Sequence, residues 1–121
     1  MRRQPSANPR YLYVFHAPRL LWIAPEGSIC SVVKIGCSKD PSARRREIQY
    51  RQAAKLEIIR LYGPYKGPVA FSLERPLHNS LKKTPFRMDG AREWYGVPNL
   101  AEFLKELDSY VDEVFKCWAG A

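Results

Sequence analysis

Two cationic side chains of this chain are predicted to lie close together and to bind an anion. Lys34 stands near the end of a β-branched run that predicts a strand ending at Gly36. Asp40 and Pro41 then predict a helix start, because aspartate is a good N-cap and proline suits the first helical position. Arg44 follows inside that helix and would face Lys34 across a short turn. Two cations held by rigid elements favour a negatively charged ligand.

A glutamate and a histidine further along the chain are spaced to share one side of a second helix. Leucines that recur every four residues predict the apolar face of a helix over residues 69–83. They are Leu73, Leu77 and Leu81. Glu74 and His78 form a neighbouring row one helical turn apart, a spacing that is also common in plain surface pairs. Pro76 lies between them, so the helix either starts late or is kinked.

The charge balance of the chain favours a polyanionic partner. The 121 residues carry 20 Lys and Arg against 12 Asp and Glu, a net charge of +8. Nucleic acid is the commonest polyanion, and a basic surface that serves only solubility is the alternative. The length fits one domain, and 45% hydrophobic residues are enough for an ordinary core.

Composition argues against several other classes of protein. No run of about 18 apolar residues predicts a membrane span, and the N-terminal residues lack the pattern of a secretory signal. Cys30, Cys37 and Cys117 are odd in number and show no CxxC spacing. This argues against both a disulfide framework and a structural zinc site. We therefore expect reduced thiols, a cytoplasmic location and no membrane partner.

The order of the predicted elements is β-β-α-β-α-α. It indicates an α+β domain with a small three-stranded, mainly antiparallel sheet flanked by helices. The predicted strands cover residues 11–16, 31–36 and 56–62. The predicted helices cover residues 41–54, 69–83 and 100–118. Asn99 is a candidate cap for the last helix. Residues 17–30 are expected to connect the first two strands, residues 1–9 to be a flexible basic arm, and residues 10–121 to form a single domain.

Five short segments together resemble the GIY-YIG endonuclease superfamily, in the phage and bacterial subgroup whose second motif reads KIG. In chain order they are Tyr11-Leu12-Tyr13, Lys34-Ile35-Gly36, Asp40-Pro41-Ser42-Ala43-Arg44, Leu73-Glu74-Arg75-Pro76-Leu77-His78 and Glu93-Trp94-Tyr95. They follow the family's order and cover roughly residues 11–96. Four features depart from the pattern of the wider family. The first motif lacks its glycine, the connection between the first two strands is long, and Pro76 lies inside the helix that carries the metal-binding motif. Lys34 stands where the wider family has its second tyrosine, as is usual in this subgroup.

The resemblance implies a divalent-metal-dependent DNA endonuclease that hydrolyses phosphodiester bonds with a Tyr/Arg/Glu site. Glu74 would be the metal ligand, for Mg²⁺ or Mn²⁺. Arg44 would bind the non-bridging phosphate oxygens through its planar fork. Tyr13 would stand near the attacking water as base or orienter, and Lys34 would hold the phosphate or activate the tyrosine. His78 would relay a proton or orient the water or the metal.

Further basic residues are candidates for contacts with the nucleic-acid backbone. They are Lys39, Arg45, Arg46 and Arg51. Helical spacing predicts that Arg51 shares one side of the first helix with Arg44 and Ile48. A solvated helix face is the alternative for the arginines. In the Glu93-Trp94-Tyr95 segment we expect core packing for Trp94 and a place in the site for Glu93 alone. DNA is the expected partner, RNA is not excluded, and the sequence predicts neither the oligomeric state nor the preferred cutting sequence.

Two other functions are compatible with the sequence. The first is a catalytically inactive GIY-YIG-like module that binds nucleic acid without turnover. The second is a protein-interaction domain that uses aromatic residues near the surface. Those aromatic residues are Trp22, Tyr62 and Tyr65.

Overall fold

The computed structural model describes residues 9–51, 54–84, 86–88 and 93–119. Its elements follow in the order β1 (Pro9–Ile23), β2 (Ile29–Ser38), α1 (Pro41–Tyr50), β3 (Glu57–Lys66), α2 (Gly67–Lys82), β4 (Trp94–Val97) and α3 (Leu100–Ala119). The strands form one antiparallel sheet in the spatial order β3-β1-β2-β4. The α+β class is confirmed, and the described sheet has four strands rather than the predicted three.

The strand that the sequence did not predict is β4. It pairs with β2 from Lys34↔Trp94 to Ser31↔Val97. Four residues are too few to show the alternation that identifies a strand, so the pattern indicated only a short aromatic stretch. The pairing fixes Glu93, the residue before β4, beside β2.

The predicted connection over residues 17–30 is mostly a β-hairpin. The β1–β2 ladder shifts register between Ala17 and Leu21 and then continues to the pair Ile23↔Ile29. Pro18 therefore does not end the strand, because the irregularity absorbs a residue that cannot donate to the ladder. The turn that follows contains Gly27, whose φ of 98° suits glycine.

The third strand is also longer than predicted, reaching Lys66 rather than residue 62. It passes through Pro64 because β3 lies at the edge of the sheet, where a missing N–H is tolerated. Lys66 pairs with Pro9, so β1 begins at the last residue of the predicted arm. Residues 1–8 of that arm lie outside the described residues.

Helices cover both faces of the sheet. On one face Leu12 and Val14 pack in a core with residues of α2 and α3, such as Leu73 and Leu107. On the other face Tyr13, Phe15 and other residues pack with Ile48 of α1. The alternation of side chains along β1 produces this division between the two faces. None of the three described helices is long and apolar enough to span a membrane.

Asp40 and Asn99 cap their helices as predicted, whereas the bounds of the first two helices differ from the predicted ones. Asp40 Oδ1 accepts a hydrogen bond from Ala43 N at 3.1 Å, and Asn99 Oδ1 accepts one from Glu102 N at 3.0 Å. The first helix ends at Tyr50 instead of continuing to residue 54. The second begins at Gly67 and runs through Pro76, which is exposed, so the proline neither delays nor ends it.

Candidate functional site

Pairing between β1 and β2 determines where the predicted tyrosine lies. Tyr13 is directly opposite Gly36, and Lys34, two residues earlier on β2, is opposite Phe15. Residues paired in this way share one face of the sheet, here the face covered by α1. A Cβ atom added to Gly36 would lie 2.7 Å from the Cζ atom of Tyr13. Gly36 therefore leaves the space that the phenol ring occupies.

Tyr13 is buried and protonated at neutral pH. Only 1% of its surface is exposed, and its ring stacks on Phe15 with centroids 4.0 Å apart. Burial raises the pKa of the Tyr13 phenol to about 12, while the neighbouring Arg44 guanidinium acts in the opposite direction. The hydroxyl can therefore donate a hydrogen bond, and it would need additional positive charge nearby to accept a proton.

A cavity of about 150 Å³, which we call the basic cleft, opens between α1 and the sheet. Its lining residues are Lys34, Arg44, Glu47, Ile48, Arg51 and Trp94. The helical spacing predicted that Arg44, Ile48 and Arg51 share one side of α1, and all three line this cleft. Arg44 Nη1 forms an exposed ion pair with Glu47 Oε2 at 3.1 Å. Lys34 Nζ lies 5.4 Å from the centroid of the Trp94 ring. Trp94 is half-buried and contributes both to core packing, as predicted, and to the cleft.

A second concave region contains three groups able to bind a metal ion. Glu74, His78 and Glu93, which we call the ligand cluster, each offer one atom, and these atoms lie within 4.8 Å of one another. They line a groove of about 630 Å³ beside α2. Glu74 Oε2 is 3.4 Å from His78 Nε2, so Pro76 does not separate the two side chains. On its other side the imidazole Nδ1 is 2.7 Å from the Tyr95 hydroxyl.

Glu93 connects the two regions. Its carbonyl accepts a hydrogen bond from Ile35 N at 3.1 Å, and its Oε2 accepts one from Lys34 Nζ at 3.1 Å. The residue has a φ of 65°, a left-handed conformation that is strained for a residue with a side chain. The regular alternation of a strand would not place the Glu93 carboxylate next to both Lys34 and the other two members of the ligand cluster. The sequence indicated Glu93 as a site member, but the role of Tyr95 beside His78 was missed.

The other predicted contacts with nucleic acid, Lys39, Arg45 and Arg46, do not line either of these two regions. Arg45 donates a hydrogen bond to Gln49 Oε1 at 2.9 Å, and the same oxygen accepts one from Leu56 N, so Arg45 is directed toward the start of β3. Arg46 and Lys39 are exposed. Their contact with nucleic acid stays a prediction.

A comparison with known protein families gives a match that covers nearly the whole chain. Residues 10–119 match the T5orf172 domain family. The chain belongs to the T5orf172 domain family. T5orf172 domains occur in endonuclease-like proteins of phages and bacteria, which is compatible with the GIY-YIG resemblance and indicates interaction with nucleic acid. Neither the curated proteins nor the solved structures contain a significant match.

Proposed function

We propose that this T5orf172 chain is a divalent-metal-dependent DNA endonuclease of the GIY-YIG type. The observation that supports this most directly is the bond between Lys34 and Glu93, because it puts the ligand cluster next to the basic cleft. Hydrolysis of a phosphodiester needs charge neutralisation at phosphorus, a positioned water and help for the departing oxygen. The two regions supply groups for charge neutralisation and for positioning the water.

The cations of the basic cleft would bind the scissile phosphate. Arg44 is suited to two non-bridging oxygens because its guanidinium is a planar fork of donors. Its present partner, Glu47, is on the surface, and such exposed pairs contribute about 1 kcal/mol or less. A phosphate can therefore replace Glu47 at little cost. Lys34 is largely buried and approaches the same phosphate from the sheet.

Tyr13 would orient the attacking water. Its protonated hydroxyl lies on the same face of the sheet as Lys34 and close to Arg44. In this state it donates a hydrogen bond, and this favours the orienting role over that of a preformed base. To accept a proton, Tyr13 would need a lower pKa of its phenol. The cations of the cleft, together with positive charge bound at the carboxylates, would have to lower it.

Glu74 would hold the metal ion. Its side chain is 16% exposed, faces the groove and presents carboxylate oxygen, the donor that Mg²⁺ and Mn²⁺ prefer. When bound, such an ion would supply charge neutralisation at phosphorus. The chain itself keeps Glu74 in position through the unbroken α2 helix and its contact with His78.

Cleavage of supercoiled plasmid in Mg²⁺ or Mn²⁺ tests the proposal. We expect nicked and linear products from the wild type, and at least about a hundredfold slower cleavage by Glu74→Gln with DNA binding retained. Glu102→Gln is the matched control, since Glu102 is an exposed glutamate on α3. Cleavage by Glu74→Gln at the wild-type rate, or cleavage that persists in EDTA, would contradict the proposal.

The same assay decides between hydrolysis and binding alone. Salt-sensitive binding with no product under any divalent ion would identify the chain as a binding module that does not cut. Parallel reactions with single-stranded DNA and single-stranded RNA of the same length distinguish the two nucleic acids.

A further inference from the structure

The ligand cluster contains one group whose hydrogen bonding is incomplete. His78 is 8% exposed, and its Nε2 atom has no hydrogen-bond partner among the described residues. A buried polar atom without a partner costs about 1–3 kcal/mol, so such atoms are uncommon unless something binds them. The atom is directed at two carboxylates, those of Glu74 and Glu93.

We propose that His78 Nε2 and a Glu93 carboxylate oxygen join Glu74 as direct ligands of one metal ion. Two atoms that bind the same ion through bonds of about 2.1 Å can lie at most about 4.2 Å apart. The donor atoms of the cluster already lie within 4.8 Å of one another, so small rotamer changes bring them to one ion. This three-ligand centre deepens the proposed function, on which its role in catalysis rests.

Tyr95 determines which nitrogen of His78 is free to bind. The two are joined by the contact of 2.7 Å between Nδ1 and the tyrosine hydroxyl. When Nδ1 carries the proton and donates to the hydroxyl oxygen, Nε2 presents a lone pair to the cluster. A partner of this kind fixes the tautomer and the orientation of a metal-binding histidine. Tyr95 is therefore a positioning residue for the site.

An imidazole ligand changes which ion the site selects. Carboxylate and water ligands alone suit Mg²⁺, which keeps most of its hydration shell, whereas imidazole is a good ligand for first-row transition metals. The two carboxylates and one imidazole of the cluster therefore favour Mn²⁺ over Mg²⁺. A site made of Glu74 alone would show little such preference.

Metal titration of the full chain without DNA tests this inference. The metal-stripped protein is titrated with MnCl₂, followed by the electron paramagnetic resonance signal of free Mn²⁺, and with MgCl₂ by calorimetry. We expect the wild type to bind Mn²⁺ at least about tenfold more tightly than Mg²⁺. His78→Gln should weaken Mn²⁺ binding by about 10- to 100-fold and Mg²⁺ binding by less than about threefold, which removes the preference.

Two further variants keep the test independent of folding defects. His16→Gln is the matched control, because His16 lies on β1 outside the cluster, and it should bind both ions as the wild type does. Glu93→Gln changes a partly exposed side chain and should weaken binding of both ions by about tenfold. Wild-type Mn²⁺ affinity in either His78→Gln or Glu93→Gln would overturn the three-ligand centre, as would equal binding of the two ions by the wild type.

Failure of this inference is distinguishable from failure of the proposed nuclease function. If Mn²⁺ binds as described but no ion supports DNA cleavage, the centre stands and the nuclease function falls. If DNA is cleaved but His78→Gln keeps its Mn²⁺ affinity, the centre falls and the nuclease function stands.

Discussion

Two groups of three polar side chains join helices to the sheet, and they differ in how completely their atoms are paired. Arg60, Tyr62 and Asp108, which we call the edge cluster, join β3 to α3. Arg60 Nε and Nη2 donate to the two oxygens of Asp108 at 2.9 and 3.1 Å, and the Tyr62 hydroxyl donates to the same carboxylate at 2.6 Å. Donors and acceptors match in this group. In the ligand cluster the Glu93 carboxylate accepts a hydrogen bond from Lys34, but His78 Nε2 has no hydrogen-bond partner among the described residues.

The difference separates side chains that stabilise the fold from side chains that would bind the proposed metal ion. A carboxylate that already receives three hydrogen bonds has little capacity left for a ligand and contributes to stability. A set of acceptors held close together destabilises the protein slightly and offers a site for a cation. Substitutions in the two clusters should therefore have opposite effects on stability and on metal binding.

The largest expected effect is stabilisation by metal. At 100 times the dissociation constant, Mn²⁺ should raise the free energy of unfolding of the wild type by about 2.7 kcal/mol, because only the folded state has the site. Asp108→Asn should show the same increase, and Glu74→Gln should show almost none. Urea denaturation with and without Mn²⁺ measures this, and a loss of the increase in Asp108→Asn would erase the distinction between the clusters.

The next effect is the loss of the edge cluster. Asp108→Asn should lower the free energy of unfolding by about 1 kcal/mol while plasmid cleavage continues at the wild-type rate. The value is small because the side chains of Arg60 and Asp108 are both more than one-third exposed and solvent screens the pair. Asp112→Asn removes the exposed ion pair of Asp112 with Lys116 on the same helix and is the control, with no measurable loss expected because solvent screens the pair. Equal losses in the two variants would show that the edge cluster is an ordinary surface pair.

Acid should remove the advantage of the edge cluster. Hydrogen bonds from Arg60, and then from Tyr62, hold the pKa of the Asp108 carboxyl below its ordinary value of 3.8. A lowered pKa means that the stabilisation is complete above about pH 4 and is lost as the pH falls through the pKa of the folded state. The difference in unfolding free energy between the wild type and Asp108→Asn should therefore shrink steadily below pH 4. A difference that stays constant down to pH 2 would contradict the assignment.

The smallest effect is expected in the metal-free ligand cluster. Glu74→Gln should leave the free energy of unfolding unchanged or raise it by about 0.5 kcal/mol, because it removes a partly buried charge near a second carboxylate. Chelator-treated protein and urea denaturation give the measurement. A loss of more than about 1 kcal/mol would mean that Glu74 stabilises the fold like Asp108 does.

Residue spacing predicted the parts of the site that follow a regular period. The period of an α-helix brought Arg44, Ile48 and Arg51 to one side of α1 and paired Glu74 with His78 on α2. Such relations depend only on local backbone geometry, which is why they could be predicted without the tertiary structure.

The parts that depend on long-range pairing could not be predicted in this way. Four residues of β4 became a strand only because β2 offers them an edge. Glu93 lies beside both Lys34 and the other two members of the ligand cluster, and its backbone is in the left-handed conformation. No periodic pattern in a sequence predicts this conformation. Pro18 and Pro64 lie beyond the predicted ends of the first and third strands, yet an irregular ladder and an edge position accommodate them and the strands continue.

The close packing of Tyr13 over Gly36 also provides a way to sort related sequences. Any side chain at position 36 would collide with the phenol ring, so a relative with alanine or a larger residue there must hold its tyrosine elsewhere. If the proposed function holds, such a relative is expected to bind nucleic acid without cutting it. Gly36 has no side chain, and its identity therefore indicates whether the Tyr13 phenol can occupy its place.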